Sequence, residues 1–149
     1  MNNVEIGAEG VEPPSWRNRA ASFINRVLVF LGLDNWELSV LFCGNSYIRE
    51  LNSRYRGRDE PTDVLSFFLG ENDGQRYLPG DIVISLETLE ENAVRFKVSP
   101  DQELRRLLIH GILHLDGMDH ASNVPEEPML KKQEEILREL EPYHIISEV

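Results

Sequence analysis

Three of the four histidines in this chain stand in one short segment, HGILHLDGMDH, at positions 110, 114 and 120. His110 and His114 are four residues apart, which on a helix is about one turn and places their Cβ atoms roughly 5 to 6 Å from each other. Gly117 is a typical helix-ending residue, because glycine adopts the left-handed conformation without strain. A turn at Gly117 would bring His120 back towards the other two rings.

This H-x3-H-x5-H spacing predicts a metal site formed by His110, His114 and His120. Three neutral imidazoles with an open fourth position are the usual ligand set of catalytic zinc, which activates water and polarises phosphoryl or carbonyl oxygens. We expect one Zn²⁺ per chain, although nickel and copper also accept three imidazoles. The fourth histidine, His144, has no such neighbours in the sequence and is expected at the surface.

The same spacing is similar to the H-E-x-x-H-x-x-G-x-x-H motif of metzincin proteases. Position 111 is glycine in this chain, whereas the proteases carry their general base, a glutamate, at that place. Peptide hydrolysis by the same mechanism is therefore not expected. Asp116 and Asp119 are candidates for a general base by proximity, but we favour a role for both in orienting a histidine or stabilising the turn.

A basic segment forms a second candidate site. Arg54, Arg56 and Arg58 cluster at the end of a predicted helix and in the loop after it. Because guanidinium groups bind phosphate through two parallel hydrogen bonds, this cluster is a candidate phosphate-binding patch. These residues by themselves favour a solvated loop, in which the arginines pair with Asp59, Glu60 or the helix C-terminus.

The elements that must position these residues are short and interspersed. Residues 1–14 are expected to form a flexible tail, and residues 15–149 a single domain that is α/β or α+β with a small sheet. Ser15 is expected to cap the first helix, and Pro125 to open the last one. The predicted helices span about residues 16–31, 46–56, 87–97, 100–115 and 125–141, and the predicted strands span 36–42, 63–69 and 81–86.

Composition limits the classes of function. The net charge of -11 argues against bulk electrostatic binding to nucleic acid, so an RNA-binding role requires a local basic patch. Cys43 is the only cysteine and is expected to be a buried free thiol, which gives no indication of an oxidising compartment. The chain has no apolar run long enough to span a membrane and no secretory signal pattern, and we expect a cytoplasmic location.

The motifs taken together resemble those of the YbeY family of bacterial metal-dependent endoribonucleases. HGILHLDGMDH is similar to the histidine signature of that family, and YRGRDEPTDVLSF and PGDIVIS are similar to two of its other segments. The three stand in the family's order, and the resemblance runs from about residue 36 to 140. Two positions depart from the usual pattern: Met118 replaces a tyrosine, and Phe68 replaces a proline.

The resemblance implies a single small α+β domain, with a mixed sheet of about four strands packed with about five helices. It implies that His110, His114 and His120 bind zinc and that Arg56 holds a phosphate beside the metal, so that Arg56 and His114 are the expected catalytic residues. The implied activity is a zinc-dependent endoribonuclease specific for single-stranded RNA, acting in 16S ribosomal RNA 3′-end maturation and ribosome quality control. The expected partners are ribosomal RNA and the small ribosomal subunit with its proteins, without a membrane.

Two other functions remain compatible with the residues themselves. One is a metal-dependent hydrolase of peptides or small molecules, which the missing glutamate at position 111 disfavours. The other is a non-enzymatic ribosome-assembly factor with a structural metal. A structural zinc normally has four protein ligands, and the sequence offers no nearby cysteine or fourth histidine, although Asp119 or a distant residue would close such a site.

Overall fold

A four-stranded mixed sheet and five helices make up the computed structural model, which describes residues 1–147. The prediction of a single small α+β domain with about four strands and five helices is confirmed. Within this part of the chain, no helix is both long enough and apolar enough to cross a bilayer. The elements in chain order are β1 (Asn3–Glu9), α1 (Arg17–Phe30), β2 (Glu37–Cys43), α2 (Asn45–Arg56), β3 (Val64–Asn72), β4 (Tyr77–Ser85), α3 (Leu86–Phe96), α4 (Pro100–Leu115) and α5 (Pro128–Glu139).

The strands lie in the order β1-β2-β4-β3. Strands β1, β2 and β4 are parallel to one another, and β3 pairs antiparallel with β4. Strand β3 is therefore an edge strand, and residues 73–76 join it to β4 in a hairpin. Strand β3 lies beside the C-terminal half of α4, and residues of both elements line one cavity.

The prediction of a flexible tail over residues 1–14 is wrong. Asn3–Glu9 forms β1 and pairs along its whole length with β2, from Asn3 opposite Glu37 to Glu9 opposite Cys43. The segment NVEIGAE has a polar composition because an edge strand of this kind buries only one of its faces, and Val4 and Ile6 pack against the core there. Local sequence alone does not signal such a strand.

Two helix starts also differ from the predictions. Trp16, not Ser15, precedes the first residue of α1, and no side chain caps that end. Helix α5 begins at Pro128 and not at Pro125, with Glu127 as the residue before it. Proline is favoured in the first turn of a helix, and the sequence offers Pro125 and Pro128 three residues apart, so the pattern did not distinguish them.

The sheet is covered on both faces. The larger core lies between the sheet and helices α1, α4 and α5, and includes Phe23, Phe42 and Ile82. The smaller one lies under α2 and contains Cys43, Ile48, Leu65 and Val83. Cys43 is a buried free thiol, as predicted, and its burial raises its pKa to about 11.

Helix α4 begins and ends where the sequence predicts. The Ser99 hydroxyl accepts a hydrogen bond from the Gln102 backbone amide, and Pro100 occupies the first turn. At the other end, Gly117 has a φ of +94°, and the Met118 amide donates to the Leu113 carbonyl. The chain turns away from the helix axis at this residue. Glycine suits the position because any other side chain would be strained in that conformation.

The first turn of α4 also holds the C-terminal segment. Asp101 is only 2% exposed and accepts hydrogen bonds of 2.7 Å from the backbone amides of both Ile145 and Ile146. Arg105 Nε lies 2.9 Å and His144 Nδ1 3.0 Å from the other carboxylate oxygen. Burial alone would raise the pKa of Asp101, but these partners outweigh it and hold the pKa below its usual value. The His144 ring is otherwise exposed, as predicted.

We expect Asp101→Asn to lower the free energy of unfolding by about 2 to 4 kcal/mol at pH 7, because it breaks a buried, fully paired ionic group. The native pKa of Asp101 lies below the unfolded value of about 3.9, so its stabilisation is present above that pH and lost as the pH falls through the native pKa. Urea unfolding between pH 3 and pH 7 measures both effects. Asp59→Asn is the matched control, since Asp59 pairs with Arg49 on the exposed surface, where an ion pair contributes little to stability. Equal losses for the two variants would contradict the assignment.

Candidate metal centre

The three histidines predicted to bind metal lie together at the C-terminal end of α4. His110 and His114 come from successive turns of the helix, and His120 comes from the loop that Gly117 redirects. One ligand nitrogen from each ring lies within 4.8 Å of the others. Within residues 1–147, no other cluster of three histidine, cysteine or acidic side chains is arranged to share a metal ion.

The spacing of the rings fits a tetrahedral metal. The Nε2 atoms of His110 and His114 are 3.1 Å apart. Two nitrogens bound to one zinc at 2.0–2.1 Å in tetrahedral geometry are about 3.3 Å apart. The pair therefore needs little movement to accept an ion between the two nitrogens.

Hydrogen bonds to the opposite ring nitrogens orient two of the ligands. Nδ1 of His110 lies 2.7 Å from the Gln133 side-chain oxygen, and the Gln133 amide group donates to Glu134 at 3.2 Å. Nδ1 of His120 lies 2.8 Å from the Ser122 carbonyl oxygen. Because both partners are acceptors, each ring carries its proton on Nδ1 and leaves Nε2 free as a metal ligand.

The third ligand has a carboxylate close behind it. Nδ1 of His114 lies 3.9 Å from the nearer Asp119 carboxylate oxygen, and the same oxygen accepts a hydrogen bond from the His120 backbone amide at 2.8 Å. Asp119 therefore stabilises the turn that presents His120. Asp116, the other candidate base, does not line the cavity in front of the histidines.

The electrostatic surroundings keep the helix histidines neutral. Partial burial lowers the pKa of His110, and the hydrogen bond to Gln133 offsets only part of this effect. Burial likewise lowers the pKa of His114, and the neighbouring His110 lowers it further. Neutral imidazole is the form that binds a metal ion, so both rings are ready to act as ligands near neutral pH.

A cavity of about 450 Å³ opens in front of the cluster, between α4 and the edge strand β3. Arg56, the last residue of α2, reaches this cavity. Its guanidinium group donates a 2.6 Å hydrogen bond to the Ser66 carbonyl and lies 5.7 Å from the Phe67 ring. Among the described residues no carboxylate forms an ion pair with Arg56, and the exposed Asp119 side chain lines the same cavity. The cavity is lined by Arg56, Val64, Leu65, Ser66, Phe68, His110, His114, Leu115, Gly117, Met118 and Asp119.

The other two arginines of the basic segment differ in their relation to the histidine cluster. Arg54 pairs with Glu50 on the outer face of α2 at 3.0 Å. Arg58 lines two neighbouring cavities, of about 840 and 570 Å³, which His120 also borders. Asp59 pairs with Arg49. Arg56 also lines the smaller of these cavities and His110 the larger. Arg56 and Arg58 therefore both border the histidine cluster, and Arg56 is the one that shares a cavity with both His110 and His114.

Gln133 and Phe68 are site residues that the sequence pattern did not single out as functional. Gln133 lies on the buried stripe of α5, beside Met129 and Ile136. A polar side chain among apolar ones was the available signal, but its partner on α4 was not visible from local sequence. Phe68 was noted as a departure from the family pattern only, whereas the structure places it in the wall of the cavity.

Comparison with known proteins agrees with this geometry. The family model described as endoribonuclease YbeY matches residues 3–141. An endoribonuclease YbeY from Treponema denticola is 50% identical over 133 residues, covering 85% of this chain and 86% of that protein. One from Treponema pallidum is 48% identical over 145 residues, covering 92% and 89%. A solution structure of a Thermotoga maritima protein is 30% identical, with a TM-score of 0.60 over 92% of this chain and 88% of that one.

These matches define the class of the protein as an endoribonuclease, a hydrolase that cleaves phosphodiester bonds within RNA. The chain belongs to the YbeY family. The match begins at residue 3, so β1 is part of the family domain, and the resemblance extends well beyond the region from about 36 to 140 that the motifs indicated.

We expect Gln133→Ala to weaken zinc binding by about 10- to 100-fold, the usual effect of removing the hydrogen-bond partner of a metal-binding histidine. The substitution leaves His110 free to rotate and to change its tautomer. Competition with a chromogenic zinc chelator measures the affinity directly. Lys131→Ala, on the exposed side of the same helix, should bind zinc as the wild type does. An unchanged affinity in Gln133→Ala would show that Gln133 does not orient His110.

Proposed function

We propose that this protein is a zinc-dependent endoribonuclease specific for single-stranded RNA. We further propose that it matures the 3′ end of small-subunit ribosomal RNA and takes part in ribosome quality control. The observation that carries the proposal is the position of Arg56 on the same cavity as His110 and His114. Family membership adds RNA as the class of substrate.

The histidine cluster and Arg56 would divide the chemistry between them. His110, His114 and His120 would hold the zinc ion, which when bound supplies Lewis-acid stabilisation of the scissile phosphate and activation of water. Arg56 donates hydrogen bonds to a non-bridging phosphate oxygen and stabilises the negative charge that develops there. Asp119 stabilises the turn that presents His120, and we do not assign it to proton transfer.

Single-stranded RNA fits this site better than a duplex does. Arg56 and the histidines line a cavity rather than a flat surface, and a nucleotide must leave a base stack to enter it. In an A-form duplex the bases stay stacked and proteins read mainly the backbone and the ribose hydroxyls. A flexible 3′ extension of a ribosomal RNA precursor meets the requirement.

The charge of the protein points to a further source of affinity. A net charge of -11 repels free RNA outside the basic groups of the site. We propose that contacts with the small ribosomal subunit and its proteins supply the missing affinity, and that the protein acts in the cytoplasm, where the precursor particles are assembled.

The proposed activity predicts cleavage of a small-subunit ribosomal RNA fragment with an unprocessed 3′ end by zinc-loaded protein. His114→Ala, purified in the same way, should bind no zinc and should not cleave, because two histidines do not complete the ligand set. Gel analysis of end-labelled RNA, with the zinc content of each sample measured, tests this. Equal cleavage by both samples would indicate a contaminating nuclease or a reaction that needs no metal.

Arg56→Ala should lower kcat by about 100-fold, in the range observed when one donor to a developing oxyanion is removed. Arg56→Lys should recover only part of the rate, because lysine lacks the planar fork of donors. Zinc affinity should stay at the wild-type value in both variants. Arg54→Ala is the matched control, since Arg54 pairs with Glu50 away from the cavity. If the Arg54 and Arg56 variants lose activity equally, the assignment of Arg56 fails.

A further inference from the structure

Phe68 is a large apolar side chain left 66% exposed on strand β3. Alternate residues of a strand share one face, so Phe68 lies on the same face as Val64 and Ser66. All three line the cavity in front of the histidine cluster. An aromatic ring exposed at this place is available to contact a ligand in the cavity, and such contact would remove its apolar surface from water.

The Phe68 ring lies over an irregular stretch of backbone. The pairing of β3 with β4 is irregular between Phe68 and Glu71, and Gly70 within that interval has a φ of +68°. A Cβ atom on Gly70 would lie 2.4 Å from the tip of the Phe68 ring, closer than atoms approach in proteins. The ring therefore lies against the bare backbone of Gly70, which supports the ring without covering it with a side chain.

The cavity wall has two chemically different parts. His110, His114 and Arg56 contribute polar groups that suit a phosphate, beside the exposed Asp119 carboxylate. Leu115, Met118 and Phe68 contribute apolar surface, which forms no hydrogen bond or ion pair with a phosphate. The volume of about 450 Å³ lies within the range of small-ligand sites, about 300 to 1,000 Å³, and leaves room for a planar group beside the phosphate.

We propose that Phe68 is a base-stacking platform that positions the nucleotide next to the scissile phosphate. The inference rests on the proposed function, because it takes RNA bound with its phosphate at Arg56 and the histidine cluster. Every base has a π face, so stacking on one aromatic ring holds a nucleotide without reading its identity. Phe68 is in this sense a positioning residue, and it takes no part in proton transfer or metal binding.

The test measures kcat and KM of the zinc-loaded full chain on a short unstructured RNA. Phe68→Ala should raise KM by about 5- to 150-fold, the range that loss of one aromatic–base stack produces. Phe68→Leu keeps an apolar side chain without a flat face and should resemble Phe68→Ala, whereas Phe68→Trp should restore KM. The control is Phe30→Ala, because Phe30 is a partly exposed phenylalanine at the end of α1, outside the cavity. Urea unfolding of each variant confirms that the fold is intact.

Substrates with one abasic nucleotide, placed in turn at each position around the cleavage site, identify the stacked base. At one position the missing base should raise the wild-type KM by about the factor that Phe68→Ala produces, and should raise the KM of Phe68→Ala no further. This loss of additivity is the signature of a direct contact. The proposal is overturned if Phe68→Ala matches Phe30→Ala, or if the two losses add at every position.

Binding is measured separately so that the result does not depend on turnover. Stopped-flow mixing with RNA that carries 2-aminopurine reports stacking as quenched fluorescence before cleavage begins. Quenching that disappears in Phe68→Ala supports the base-stacking role even if no RNA is cut. In that case the experiment contradicts only the proposed zinc-dependent cleavage. If RNA is cleaved and the quenching is the same in wild type and Phe68→Ala, the stacking role of Phe68 is overturned and the proposed nuclease activity stands. Absence of both binding and cleavage in the wild type overturns both.

Discussion

The close approach of α4 to the sheet is the constraint on which the site depends. A Cβ atom on Gly111 would lie 2.9 Å from Cδ1 and 3.0 Å from Cγ2 of the Ile82 side chain, so the helix packs this tightly against β4 only with glycine there. His110 and His114, on either side of Gly111 in the sequence, are thereby placed over the free edge of β3. The glycine that replaces the glutamate of a metzincin is thus required by packing, and this fold has no space for a carboxylate at that position.

An ion pair holds α4 against α5. Arg106 on α4 binds Glu134 on α5 through two nitrogens, at 3.0 and 3.1 Å. This pairing raises the pKa of Arg106. Burial alone would raise the pKa of Glu134, but the bonds from Arg106 and Gln133 outweigh it and hold the pKa below its usual value. Gln133 on α5 is also hydrogen-bonded to His110, so the orientation of the His110 ring depends on how α5 packs against α4. Hydrogen-bonded chains of this kind make a site rigid when every member has its partner.

The sequence predicts those features that are set within a few residues. Ser99, Pro100 and Gly117 specify the ends of α4 by local capping and turn chemistry, and the four-residue spacing of His110 and His114 specifies their common face. Strand β1 was not predicted, because its pairing partner begins about 30 residues later and its own composition is polar. The roles of Gln133 and Phe68 were missed for the same reason: each depends on an element that tertiary packing alone brings near.

The order of the elements along the chain separates the building of the sheet from the building of the site. Every strand lies at or before Ser85, and β4 takes its place between β2 and β3, whereas all three histidines of the cluster follow. As the chain leaves the ribosome from its N-terminus, the sheet and the first three helices are complete before any ligand is available. Docking of α4 then closes the larger core and assembles the ligands in the same step. A chain that ends before α4 accordingly lacks two of the helices that pack on the larger core, α4 and α5, and all three histidines of the cluster.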